Sequence, residues 1–214
     1  MTMILGIDQS TSATKAMLFQ KNGALLDQYS LPHQQIYPKP GWVEHDAEEI
    51  YRNVIQAVSN LIDQNPEILD ELICLSITNQ RETIVVFERE TGAPLYNALV
   101  WQCRRGSEIC AELVADGKNE IVKAKTGLPI DTYFSGSKLK WLINTQPEIK
   151  EKLKNGEALI GTIEAYLIYR LTNGETFASD HTNACLLYTS PSPRDRSAYR
   201  VCRLLLEKGG GGGG

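Results

Sequence analysis

Hydrophobic and polar positions change period several times along the chain. Residues 3–8 form an apolar run closed by Asp8, residues 15–19 are mostly apolar, and residues 24–31 follow the pair Asn22-Gly23. Short apolar runs separated by tight-turn residues predict three strands joined by hairpins. Tyr37-Pro38-Lys39-Pro40-Gly41-Trp42 breaks the pattern and is expected to be loop. From Asp46 the period becomes helical, with Ile50, Val54, Ala57, Val58, Leu61 and Ile62 recurring on one face as far as Pro66. Asp46 with Glu49 three residues later has the form of a capping box, so a helix is expected to start there and to pack one face on a sheet.

Residues 72–78 are almost continuously apolar, the pattern of a parallel strand covered on both faces, and residues 83–87 predict another strand. Between them, Asn79-Gln80-Arg81-Glu82 places four polar residues inside what should be a buried sheet, where Gly or Pro would serve an ordinary turn. Further helices are expected at 104–115, 136–144 and 162–171, the last with Ile163, Tyr166, Leu167 and Leu171 on one side. No internal repeat is visible. Strands alternating with helices imply an α/β domain with a mixed sheet and helices on both faces.

Composition alters this picture at one end. The chain has 214 residues, 42% of them hydrophobic, which suffices for a core. It lacks a run of eighteen apolar residues, and its first residues have neither the basic start nor the long apolar stretch of an export signal, so a cytoplasmic protein is expected. At Cys185 the composition breaks, and six glycines close the chain from Gly209. Back-translated, the stretch from Cys185 to Asp195 resembles the adapter used in transposase-based DNA library preparation. Residues 185–214 are therefore expected to be a non-native, disordered tail, and residues 1–184 an incomplete natural domain. The tail carries five Lys or Arg and two Asp or Glu, which leaves residues 1–184 with 17 basic and 24 acidic residues, net −7. Basic residues are scattered, so neither a nucleic acid nor a membrane surface is an expected partner. Five cysteines, an odd number with no Cys-x-x-Cys pair, are expected to be reduced thiols.

Four segments carry candidate chemistry. Asp8-Gln9-Ser10-Thr11-Ser12-Ala13-Thr14-Lys15 lies between the first two expected strands. A turn rich in hydroxyls gathers N–H and O–H donors suited to phosphate oxygens, a carboxylate at a strand end can hold hydrated Mg2+, and Lys15 adds positive charge. Arg81-Glu82, at the tip of an apolar strand, offers donors and acceptors to neighbouring hydroxyls, as a polyol requires. In Trp101-Gln102-Cys103-Arg104-Arg105 and Asp131-Thr132-Tyr133-Phe134-Ser135-Gly136, Trp101 could wall a carbon skeleton and Tyr133 could supply a hydroxyl, although both rings could equally be core. Cys103 and Cys110 fit no zinc spacing, and His33, His45 and His181 have no evident partner.

Taken in order, the segments at 7–11, 41–46, 77–82, 101–105, 133–136 and 180–184 strongly resemble the FGGY carbohydrate kinases, in particular members that act on glycerol. The resemblance covers nearly all of residues 1–184. It implies an actin-like (ribonuclease-H-like) ATPase fold with two large domains around an ATP cleft, this chain supplying most of the first. It implies ATP and Mg2+ as cofactors, glycerol as the small-molecule partner, and a homo-oligomer in intact members. By the same resemblance Thr11, Ser12, Ala13 and Lys15 lie at the nucleotide phosphates, Asp8 near Mg2+, and Arg81, Glu82, Trp101 and Tyr133 around glycerol. The family's catalytic base sits in a Gly-Asp-Gln segment that this sequence does not contain, so no catalytic residue is expected within it. Three positions depart from the family pattern: Ser10 replaces a usual Gly, Ala13 a hydroxyl and Lys15 an Arg. Ser10 implies a looser turn, because Gly admits backbone geometry that Ser resists.

Overall fold

The first three strands are hairpin partners, as their turn residues require. In the computed structural model, which describes residues 2–184, β1 (Met3–Gln9), β2 (Ala13–Gln20) and β3 (Leu25–Pro32) form an antiparallel meander. Period-2 alternation puts Met3, Leu5 and Ile7 of β1 with Ala16 and Leu18 of β2 on one buried face. After β4 (Glu44–His45) comes α1 (Ala47–Gln64), whose Ile50, Val54, Ala57 and Leu61 cover that face. Asp46 caps α1 by accepting the Glu48 N–H at 2.8 Å. The other half of the expected capping box is not made: Glu49 instead accepts the Gln34 N–H, at 3.2 and 3.1 Å to its two oxygens, and ties the loop after β3 to the helix.

A 3-10 turn, Pro66–Ile68, leads into β5 (Leu72–Asn79), which pairs parallel with β1, Leu5 opposite Leu75 and Ile7 opposite Ile77. The first sheet therefore has the order β3-β2-β1-β5. Then follow β6 (Ile84–Glu88), β7 (Ala98–Leu99), α2 (Ser107–Ala115), α3 (Asn119–Thr126), α4 (Ser135–Thr145), α5 (Pro147–Lys154), β8 (Ala158–Thr162) and α6 (Ile163–Leu171). The second sheet is antiparallel, in the order β4-β7-β6-β8. Val85, Phe87 and Leu159 face α1 and α6, while Ile84, Val86 and Ile160 face Leu139, Leu142, Ile143 and Ile149 of α4 and α5. Two layers of helix thus bury both faces of β6 and β8, each large side chain contributing about 1.5–3 kcal/mol.

The structure corrects two expectations. Residues 72–78 do form a parallel strand, but they are not covered on both faces: Ile73 is 62% and Leu75 42% exposed. Among the described residues α1 packs mainly on β2 and β3, α6 is the main helix against β5, and β5 ends the sheet. The polar residues 79–82 also do not interrupt one sheet. They carry the chain from β5 in the first sheet to β6 in the second, which is why no reversing Gly-Pro turn is needed. Among the described residues no helix is long and apolar enough to cross a membrane. The tail expected at 185–214 lies outside the described residues.

Candidate active site

The turn between β1 and β2 is closed by Ser10. Its N–H and O–H both donate to the Ala13 carbonyl at 2.9 Å, and its hydroxyl oxygen accepts the Ala13 N–H at 3.2 Å. Ser10 needs no left-handed backbone there, so the looser turn expected from the loss of Gly does not occur. Of the turn's donors, the Ala13 N–H is thereby consumed. Those of Thr11 and Ser12 have no partner among the described residues, and Ser12 is exposed. Asp8 and Lys15 are cross-strand partners on the open face, carboxylate to ammonium 3.9 Å, both partly exposed. Such a solvated pair contributes at most about 1 kcal/mol and leaves both charges available to a ligand.

The crossover 80–83 meets this turn directly. The Gln80 N–H donates to the Gln9 carbonyl at 2.8 Å, continuing the strand pairing one residue beyond β1 and β5. Arg81 is exposed, and its guanidinium has no hydrogen-bond or ion-pair partner among the described residues. Glu82 is buried and takes a left-handed backbone, φ 63°, a conformation that costs a non-Gly residue about 1–3 kcal/mol. What holds it is α4: the Glu82 carboxylate accepts the Ser135 N–H at 3.0 Å and O–H at 2.8 Å through Oε2. The residue before α4, Phe134, offers no capping side chain, so Glu82 serves as the cap from the distant crossover. Oε1 has no hydrogen-bond partner among the described residues. Arg81 and Glu82 therefore diverge, the cation into solvent and the carboxylate inward.

Trp101 joins the two sides. Its indole N–H donates to Thr11 Oγ1 at 3.0 Å, and its ring meets that of Tyr133 edge-on, centroids 5.5 Å apart. Tyr133 is 43% exposed, so this ring pair lines a surface rather than a core. Lys138, in the first turns of α4 and fully buried, donates to the carbonyls of Thr132 (2.9 Å), Tyr133 (2.8 Å) and Phe134 (3.1 Å), fastening the segment that carries Tyr133. Burial pushes the Lys138 pKa down to about 8, against the opposing pull of Glu82.

Sequence reasoning missed Lys138, and it missed Arg105. The Arg105 guanidinium is buried, pairs with Glu44, and lies over Trp42 and Trp141 at 4.3 and 4.5 Å from the ring centroids. It also missed His45, which touches both Gln80 and Gln35. Gln80 and Arg105 lay in segments singled out for candidate chemistry, but neither was given a role. A cavity of about 310 Å3 lined by Tyr51, Thr91, Gly92, Arg170 and Gly174 lies at the far end of β6, away from these groups.

Residues 3–188 match the N-terminal domain of the FGGY family of carbohydrate kinases. The chain belongs to the FGGY family. The family match runs four residues past the compositional break at Cys185. Glycerol kinase 1 of Thermotoga maritima is 46% identical over 181 residues, and the glycerol kinase of Symbiobacterium thermophilum 48%; each alignment covers 85% of this chain. This FGGY chain spans only 37% and 36% of those relatives' lengths. Among solved structures, Plasmodium falciparum glycerol kinase with ADP superposes with a TM-score of 0.82 at 42% identity, covering 86% of this chain and 37% of that one. The gluconate kinase of Lactobacillus acidophilus, at 23% identity and TM-score 0.78, covers 95% of this chain and 39% of its own, and shares the fold.

Proposed function

We propose that this chain is the N-terminal part of a glycerol kinase, whose complete form moves the γ-phosphoryl group of ATP onto a terminal hydroxyl of glycerol. The observation that carries the reading is the hydrogen bond from the Trp101 indole to Thr11, with Tyr133 against the same ring. It sets an aromatic wall one hydrogen bond away from a turn with free donors.

Thr11 and Ser12 donate to nucleotide phosphates through N–H and O–H, Lys15 adds charge, and Ala13 contributes only the closed backbone of the turn. The partly exposed Asp8 carboxylate, with only Lys15 at 3.9 Å, fits hydrated Mg2+, which when bound would neutralise phosphate charge. Arg81 donates to polyol hydroxyls and Glu82 accepts one at Oε1. In the transfer the attacking hydroxyl loses its proton, the γ-phosphorus to bridging-oxygen bond breaks, and ADP leaves with that electron pair. What this chain supplies is positioning and charge, which dominate such reactions. The base belongs to the Gly-Asp-Gln segment absent from the sequence, so the 214-residue chain alone is expected to phosphorylate nothing.

A chimera tests the reading. Residues 1–184 replace the matching segment of the T. maritima glycerol kinase 1, and ATP-dependent phosphorylation is measured with glycerol, gluconate and xylulose. Turnover of glycerol above the others supports it; a folded, soluble chimera that is inactive or prefers a sugar overturns it. We further read 1–184 as an incomplete domain and 185–214 as translated adapter. Resequencing the source DNA past the Ala184 codon tests that reading, which requires a Gly-Asp-Gln segment downstream.

A further inference from the structure

We infer that His45, held as its neutral Nε2–H tautomer, is a positioning residue that closes a ring of hydrogen bonds joining the Ser10–Thr11 turn to the 80–83 crossover and Trp101. What the ring positions rests on the kinase reading above; the ring itself does not.

Atom by atom, the ring admits one arrangement. The Gln80 side-chain nitrogen lies 3.3 Å from the Ser10 carbonyl, an acceptor only, so that atom must be the amide nitrogen. The same nitrogen lies 3.1 Å from Gln9 Oε1 and 3.2 Å from His45 Nδ1, three acceptors sharing two hydrogens; because an amide nitrogen cannot accept, the Nδ1 that faces it carries no hydrogen. On the far side, Gln35 Nε2 donates to the Thr11 carbonyl at 2.7 Å, which turns Gln35 Oε1 toward His45 Nε2 at 2.8 Å and requires a hydrogen there. Two independent carbonyls thus dictate the same tautomer. From Gln80 the ring continues through Oε1, which accepts the Thr83 O–H at 3.0 Å, and Thr83 Oγ1, which accepts the Trp101 backbone N–H at 3.2 Å. The Trp101 indole then closes it on Thr11 Oγ1.

Six residues from four segments of the chain hold one another in place, with His45, Thr83 and Gln80 buried. A proton on Nδ1 would set donor against donor at Gln80, and burial with the edge of His33 at 4.5 Å already holds the His45 pKa down to about 3. Because Trp101 occupies a lone pair of Thr11 Oγ1, the ring also orients the Thr11 hydroxyl. Breaking one member takes a partner from both neighbours: without His45, Gln35 Oε1 loses its donor, while Gln80 keeps Gln9 and Ser10 but is no longer held toward the ring, so the loss propagates.

Nitrogen-resolved histidine spectra of the isotope-labelled 214-residue chain test the inference, with Trp101 assigned through Trp101→Phe. The expected result is an Nε2–H ring for His45 that does not titrate between pH 8 and pH 5. His45→Phe and, at the half-buried end, Gln35→Leu are expected to speed exchange of the Trp101 indole N–H roughly three- to tenfold. His45→Asn, whose Oδ1 can accept from Gln80, should recover part of that protection. An Nδ1–H tautomer, titration near pH 6.5, or unchanged indole exchange in a folded variant would overturn the ring. If both variants unfold, the tautomer and titration of the unsubstituted chain still decide. None of these spectra needs a ligand, so an inactive chimera with an intact Nε2–H signature sinks the glycerol kinase reading alone.

Discussion

β5 and β6 follow one another in the chain, both rich in aliphatic residues, and they end in opposite surroundings. β6 lies inside, with Val85 and Phe87 against α1 and α6 and with Ile84 and Val86 against α4 and α5. β5 forms the end of its sheet, with Ile73 and Leu75 largely in solvent. Its sequence, Leu72-Ile73-Cys74-Leu75-Ser76-Ile77-Thr78-Asn79, has no charge and no proline, the features by which exposed edges normally discourage pairing with other chains. An apolar run therefore reports what a strand needs, while neighbouring elements decide whether the need is met. For β6 the covering helices are α1 and those within residues 135–171; for β5 the chain, spanning 36–37% of its glycerol kinase relatives, brings mainly α6 among the described residues.

The largest expected contrast is between cavities in the two strands. Phe87→Ala, which removes a fully buried ring touching Tyr166 and Tyr169, should cost about 3–5 kcal/mol in urea unfolding. Arg105→Ala, on the α4 side of the second sheet, should cost about as much, because the buried Glu44 carboxylate loses its cationic partner and keeps only Asn97. Equal losses at Ile73 would break the comparison.

Lys138 gives a pH-dependent version. Its pKa is about 8 in the folded chain against 10.5 for an exposed lysine, so the folded state binds fewer protons across that window. Through this group stability rises as pH climbs from about 8 to 10.5, and the slope should appear as the difference between the wild-type chain and Lys138→Met in denaturation at several pH values. His45 acts with the same sign lower down: with its pKa at about 3 rather than 6.5, stability falls as pH drops through that interval, and His45→Asn should flatten the fall.

Smaller effects belong to the open regions. Ser10→Ala loses the hydroxyl that closes the turn and should cost about 0.5–1.5 kcal/mol by the same measurement. Ile73→Ala should change stability by no more than about 0.5 kcal/mol. The double substitution Ile73→Lys with Leu75→Lys should instead act on association, shifting light-scattering profiles toward monomer at high concentration without lowering the melting temperature appreciably.

Much of the local architecture was legible. The hairpin period placed β1 to β3 within two residues of their observed ends, and Asp46 marked the start of α1. Helices α2, α4 and α6 were expected from their apolar spacing, whereas the short charged helices α3 and α5, with little or nothing buried, left no such signal. Thr11, Trp101, Glu82 and Tyr133 were candidates from residue type and resemblance; in the structure Trp101 touches Thr11 and Tyr133, and Glu82 binds Ser135, two residues from Tyr133. Their actual links were not legible: Glu82 caps α4 across 53 positions, and Trp101 bonds Thr11 across 90.

By itself the sequence determined periodicities, turns and helix starts, since each depends on neighbours within a few residues along the backbone. Only the tertiary structure decided which strand is covered, that Glu82 turns inward while Arg81 does not, and which tautomer His45 must hold. Those outcomes depend on where distant carbonyls and carboxylates come to rest once both sheets are packed, and a hydrogen bond is set by that position to within a few tenths of an ångström.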